Sequence, residues 1–179
     1  MSYFDSLQEI YFAKIRPTAI LPSKKEEDAG YDMYADFSEE YFVIEPGQTR
    51  GVPTGIAIAF SSKYYAQVEE RSSMAKIGIK KSGGVFDSGY RGEYFIMTYN
   101  TNKKPFVISA KPLDEVEAEF EVAGKVYKKD EVMLYPKSKA ICQIVLQVVP
   151  VMEEKEISYE ELLAIPSARG TGAFGHSGK

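Results

Sequence analysis

Short runs of aromatic and β-branched residues, broken by glycine, proline and serine, constrain this chain's fold more than any other feature. Runs at 41–44, 55–60, 64–68, 94–99, 106–109 and 140–149 have the length and residue types of strands, and the first is followed by a Pro46-Gly47 turn. Thirteen tyrosines and ten phenylalanines suit pleated, half-buried surfaces better than helices. Two short helices are expected at most. Ser72 and Ser73 stand where they would cap 74–77, with Gly78 to end it. Ser158 and Glu161 have capping-box spacing, and Pro166 would stop the second helix. Many short strands with one or two short helices imply an all-β sandwich or barrel.

The 179 residues suffice for one domain with a real core, expected over 1–168. A net charge of −4 argues against gripping a nucleic acid polymer by its phosphates, but a nucleotide needs only a few local cations. One cysteine, Cys142, excludes an intrachain disulfide and fits a reducing compartment; it lies in an apolar run and reads as a buried small hydrophobe. The first 15 residues carry Asp5 and Glu9 and have no apolar signal-peptide core. No apolar stretch approaches the ~20 residues of a membrane span. A cytoplasmic protein without membrane contact is expected.

One stretch looks inserted. Over 111–135 charged and apolar residues alternate around Ala123-Gly124, which reads as an exposed hairpin, with or without a function of its own.

Three segments carry chemistry. Arg71-Ser72-Ser73 follows a strand and opens a helix, which places amides, two hydroxyls and a guanidinium where an anion can bind; a plain helix cap would look the same. In 83–92 four glycines bracket Asp87 and Tyr90. A carboxylate held in such a turn can orient and deprotonate a water, or it can simply close an Asx-turn. The third segment is the tail, 169–179. It has one arginine, one phenylalanine, two hydroxyls and four glycines, and little to pack. Arg169 and the hydroxyls suit phosphate oxygens, and Phe174 suits a flat base. The tail is either a lid for a nucleotide or a solubilising end. Asp32, charged within an apolar run, needs a partner: a backbone N–H or the surroundings of a metal. Gln143 is the polar side chain of an apolar strand and needs partners too. His176 has no neighbour of metal-ligand type at useful spacing.

Taken in order, 29–35, 71–79, 84–93, 139–146 and 169–178 resemble the five motifs of the trimeric dUTP pyrophosphatases, the dUTPases. The resemblance runs from about residue 10 to the end of the sequence, with 111–135 outside it. It implies a jelly-roll-like β-barrel, a homotrimer whose active sites draw on all three subunits, and conversion of dUTP to dUMP and pyrophosphate with Mg²⁺. By the match, Asp87 activates the water that attacks the α-phosphorus. Tyr90 lies against the deoxyribose. The backbone of Gly84, Val85 and Phe86, and that near Phe95, reads uracil. Arg71, Ser72, Ser73 and Gln143 hold phosphates of a neighbouring subunit's substrate. Arg169, Gly175 and Ser177 belong to the closing tail, whose Phe174 stacks on the base. Mg²⁺ is held mainly by phosphates and waters, with Asp32 as an outer contact and no protein ligand in direct contact.

The match departs from the family pattern at two positions. Many members have Arg or Lys three residues before the glutamine, where this chain has Ala140, preceded by Lys139. An asparagine found in some members six residues before the aspartate is Lys81 here. The 111–135 stretch resembles in position an extra segment of some phage dUTPases, a few of which bind regulatory proteins. A related activity, dCTP deamination, calls for a glutamate ten residues after the aspartate; that residue is Met97. A non-enzymatic trimer that binds a partner through 111–135 is the remaining class.

Overall fold

The computed structural model of the chain describes residues 9–172. Fourteen strands, two α-helices and a single 3₁₀ turn at Lys129–Glu131 are described, almost all in one unit that ends at Val149; a second unit starts at Pro150.

In the first unit the strands are β1 (Ile10–Lys14), β2 (Tyr31–Met33), β3 (Tyr41–Ile44), β4 (Thr49–Pro53), β5 (Ile56–Phe60) and β6 (Tyr64–Glu69). Helix α1 (Ser72–Lys76) follows. The rest are β7 (Ile79–Lys81), β8 (Val85–Phe86), β9 (Phe95–Asn100), β10 (Phe106–Ser109), β11 (Glu119–Val122), β12 (Lys125–Lys128), β13 (Met133–Pro136) and β14 (Cys142–Val148). They form small sheets ordered β1-β5, β13-β10-β3, β11-β12, β2-β14-β6-β8 and β4-β9-β7, a jelly-roll-like arrangement. All named pairs are antiparallel except β10 with β13.

Alternation along the strands builds the core. In β5 and β9 every second residue is buried, which puts Ile56, Ile58, Ile96 and Asn100 inside. Met33, Ile44, Phe106, Ile108 and Ile144 join them with no exposed surface. Each large apolar side chain so buried is worth about 1.5–3 kcal/mol of transfer free energy.

Strands β3 and β10 do not alternate, because all four residues of each are buried. Phe42, Ile44, Phe106 and Ile108 face the main core. Tyr41, Val43 and Val107 face a second cluster with Val116, Phe120, Tyr127 and Val132. That second cluster is the 111–135 stretch. The hairpin is present, with Glu119 opposite Lys128 and positive φ at Ala123 and Gly124. The expectation of an exposed hairpin holds for one face only. Period-2 alternation puts Glu119, Glu121 and Lys128 outside and turns Phe120 and Tyr127 onto the sheet. The stretch also contains most of β13, the edge strand of the β13-β10-β3 sheet, so it is a crossover between two parallel strands.

In the second unit, α2 (Tyr159–Ala164) has the expected capping box. Glu161 N donates to Ser158 Oγ at 3.1 Å, and Ser158 N donates to Glu161 Oε2 at 2.8 Å. No helix among the described residues is long and apolar enough to cross a membrane.

Candidate active site

Strand β8 is short because only its pairing with β6 makes it a strand. Phe86 lies opposite Ala66, and Val68 N donates to Gly84 O at 2.7 Å. Pairing ends at Phe86, and the next residue, Asp87, is exposed. The chain then turns, with Tyr90 N donating to Asp87 O at 3.1 Å. The Tyr90 hydroxyl donates to Glu93 O at 3.0 Å, so its ring folds back over Gly92. A Cβ at Gly92 would fall 2.6 Å from Tyr90 Cζ, so a side chain there would displace the Tyr90 ring from this position. Phe86 lies beside Tyr90 with ring centroids 6.1 Å apart, and Tyr94 meets Phe86 edge-on at 4.0 Å. Burial pushes the Tyr94 hydroxyl up to about 12, which leaves it protonated at neutral pH. The loop therefore presents one carboxylate beside an aromatic platform.

A second group forms where β14 runs between β2 and β6. Gln143 is opposite Asp32 on one side and Glu69 on the other. Helix α1 follows β6 and brings Arg71, Ser72 and Ser73 to the same end. These residues, with Asp28, Ala29 and Gly30, line a cavity of about 340 Å³. Arg71 Nε lies 3.0 Å from Asp32 Oδ1, and Arg71 Nη1 donates to Ala140 O at 3.3 Å. The Tyr135 hydroxyl donates to the same carbonyl at 2.7 Å. Ser72 and Ser73 are not caps: Arg71 is the N-cap residue and makes no side-chain capping bond. The serines are the first helical residues, so their side chains line the cavity. A guanidinium, two hydroxyls and an amide set against two carboxylates suit a polyphosphate with a hard cation on it. Among the described residues no group of three or more His, Cys, Asp or Glu could hold a metal ion.

The structure thus brings Asp32, Arg71, Ser72, Ser73 and Gln143 together, and separately Gly84, Val85, Phe86, Asp87 and Tyr90. The first cavity is not lined by Asp87 or Tyr90. Phe95 opens β9 opposite Pro53 with its ring exposed. Arg169 lies in the second unit, where its Nε donates to Gly172 O at 2.7 Å. Phe174, Gly175 and Ser177 lie outside the described residues, as does His176.

Three contributors escaped the sequence reading. Tyr135 steadies the Ala140 carbonyl that holds Arg71, yet it sat in the stretch set aside as inserted. Asp28 adds a second carboxylate to the cavity. Lys81, read only as a departure from a pattern, bonds Glu69 Oε2 at 2.7 Å, and its amide donates to Glu70 Oε1 at 3.0 Å. It fixes the end of β6 beside the glycine-rich loop. Cys142 is buried, and desolvation raises its thiol far above the usual range, as befits an inert core residue.

A sequence model described as dUTPase matches residues 16–112, more than half of the chain. The chain belongs to the dUTPase family. The deoxyuridine 5′-triphosphate nucleotidohydrolase of Clostridium acetobutylicum is 34% identical over 169 residues, which cover 92% of this chain and 93% of that protein. The Pol polyprotein of caprine arthritis encephalitis virus is 40% identical over 102 residues, 57% of this chain; the match spans only 9% of the polyprotein. Among solved structures, the Staphylococcus bacteriophage 80alpha dUTPase with dUPNHPP aligns with a TM-score of 0.70 and 22% identity, over 97% of this chain and all of that one. That last likeness is one of fold. The family match ends at residue 112, where the crossover over the second cluster begins.

Proposed function

We propose that the chain hydrolyses dUTP to dUMP and pyrophosphate. The observation that carries this reading is the exposed Asp87 at the end of β8, presented beside Tyr90 by a loop pinned at both ends. A water oxygen bonds to the α-phosphorus while the bond from that phosphorus to the pyrophosphate oxygen breaks, and Asp87 takes the proton from the water. In-line displacement needs positioning and charge neutralisation more than covalent chemistry. Arg71, Ser72, Ser73 and Gln143 supply donors to the phosphates. Mg²⁺ would neutralise phosphate charge as it builds; phosphate oxygens and waters would hold it, with Asp32, paired with Arg71, as an outer contact. Tyr90 leaves no room for a 2′-hydroxyl. Backbone groups of Gly84, Val85 and Phe86, and of Phe95 on the return strand, select uracil.

The separation of Asp87 from the Arg71 cavity supports a site shared between subunits. The exposed apolar stripe of Phe95, Met97 and Tyr99 along β9 offers a face for another copy of the chain, which in this reading assembles as a homotrimer. Arg169, Phe174, Gly175 and Ser177 are the remaining substrate contacts in this reading, and the enzyme works in the cytoplasm.

The test is pyrophosphate release from dUTP, dCTP, dTTP and UTP, with and without Mg²⁺, by the wild type and Asp87→Asn. Loss of the base should lower kcat by about 10²–10⁴-fold with dUTP still bound. Near wild-type turnover by Asp87→Asn, or equal kcat/KM for dUTP and dCTP, would overturn the assignment.

A further inference from the structure

Four charged groups meet where the glycine-rich loop rejoins β9. Glu93 is the residue just past the loop's last glycine. Its Oε2 accepts from Arg16 Nη1 at 2.9 Å, and its Oε1 accepts from Gly55 N at 2.8 Å and from Arg16 Nη2. Arg16 donates its Nε to Asp36 Oδ2 at 2.8 Å and its Nη2 to the Asp36 carbonyl at 2.9 Å. Lys137 Nζ lies 3.2 Å from Asp36 Oδ1 and donates to Phe37 O at 2.8 Å. The Asp36 side chain is 1% exposed and that of Glu93 13%. Gly55 makes the room: its φ is +66°, and a Cβ there would fall 2.6 Å from Asp36 Oδ2.

Two cations and two carboxylates neutralise one another here. An ion network of this kind contributes little net stability once desolvation is counted, but a guanidinium forked on a carboxylate fixes direction as well as distance. The direction it fixes is that of the loop. At the upstream end, β8 is pinned to β6. At the downstream end, the Tyr90 hydroxyl is bonded to the carbonyl of Glu93, and the Glu93 side chain is gripped by Arg16. Asp87 lies between these two anchors. No residue of the network lines the phosphate cavity.

We infer that Glu93, gripped by Arg16, is a positioning residue that sets the geometry of Asp87 and Tyr90. The inference rests on the reading of that loop as the catalytic one. Glu93 acts through its neighbours and touches no substrate.

The test compares Glu93→Gln, Arg16→Lys, Asp87→Asn and the Glu93→Gln/Asp87→Asn pair in the full chain. Glu93→Gln keeps the shape and the acceptor for Gly55 but loses the ionic fork. A displacement of about 1 Å at a reacting group costs on the order of 10²-fold, so kcat for dUTP should fall by about 10–100-fold. The preference for dUTP over UTP in kcat/KM should fall too, because Tyr90 loses its fixed anchor. Arg16→Lys keeps the charge without the fork and should fall between. Adding Glu93→Gln to Asp87→Asn should cost no further kcat. A purely structural role would lower the folded fraction and leave kcat per folded subunit and the sugar preference unchanged. Folded Glu93→Gln with both quantities unchanged would overturn the inference. If that variant does not fold, Arg16→Lys decides by the same two readouts. Full activity of Asp87→Asn would strike the base assignment alone, and the sugar preference of Glu93→Gln would still decide the role of Glu93.

Discussion

Arg71 is held against Asp32, Nε to Oδ1 at 3.0 Å, while its Nη1 reaches the Ala140 carbonyl at 3.3 Å. A guanidinium has five N–H donors, and these two contacts leave others for a phosphate. A lysine keeps the charge but cannot fork across a carboxylate, a carbonyl and a phosphate at once. Arg71→Lys is therefore expected to raise KM for dUTP about tenfold or more, the value of one charge-assisted hydrogen bond of roughly 1.5–3 kcal/mol. Steady-state kinetics checks this, and an unchanged KM would remove Arg71 from phosphate binding.

The tail makes a separate prediction. Removing everything after Ser167 takes away Arg169 and the glycine-rich end with Phe174 and Ser177. In the proposed reading these close on the nucleotide and exclude water. The truncated protein should keep its assembly, seen by sedimentation, and lose at least about 10²-fold in kcat/KM, as expected when two charge-assisted bonds go. Mixed with Asp87→Asn subunits it should regain activity, because an intact base and an intact tail can then come from different chains. Full activity of the truncated protein, or no rescue when mixed assemblies form, would exclude a shared lid.

What was legible in the sequence was what is local. The runs that became β3, β5, β6, β10 and β14 carry their own alternation or apolar density. Asp87 and Arg71 stood out because glycines and serines sit beside them in the chain. Strands β2, β7 and β8, of two or three residues, have no periodicity to read; β8 exists only because β6 offers it a partner. The same holds for the site's supports. Arg16 and Glu93 are 77 residues apart, and nothing in either neighbourhood announces the other. The 111–135 stretch misled for the opposite reason. Its alternating charges are those of a solvent face, and they concealed that the intervening Phe120 and Tyr127 cover a sheet.

The ion network also predicts acid sensitivity. Bonding by Arg16 holds the Glu93 carboxyl below its usual range. Burial pushes Asp36 up, but bonds from Arg16, Thr18 and Lys137 together outweigh it and leave Asp36 lowered. A carboxylate whose folded pKa lies below its unfolded value of about 4 stabilises the protein above that value. The contribution is lost as pH falls through the lower, folded pKa. Melting temperature should therefore be nearly flat from neutral pH down to about 5 and fall below about 4. Glu93→Gln should fall less steeply in acid than the wild type. Parallel curves for the two proteins would show that Glu93 carries no such linkage.

The crossover over the second cluster gives the last prediction. A stretch outside the family match, with charges on its outer face, looks removable, and replacing it with a short Gly-Ser turn is the natural experiment. The packing says otherwise. Phe120 lies 4.4 Å from Tyr41, ring centroid to centroid, and stacks on Tyr127 at 5.8 Å. Beneath them Tyr41, Val43 and Val107 are buried. Uncovering each costs about 1.5–3 kcal/mol, against a total stability of about 5–15 kcal/mol. Removal of all of 111–135 would also take most of β13, which pairs with β10. That deletion should yield no folded protein. Phe120→Ala isolates the packing term and should cost about 3–5 kcal/mol. Val126→Ser, at a side chain 60% exposed on the same hairpin, should cost close to nothing. Neither position lines the phosphate cavity, so the kcat of folded Phe120→Ala should match the wild type at low temperature. Denaturant unfolding with parallel activity assays separates the two effects. A Phe120→Ala protein as stable as the wild type would mean that the hairpin rests on the sheet without holding it.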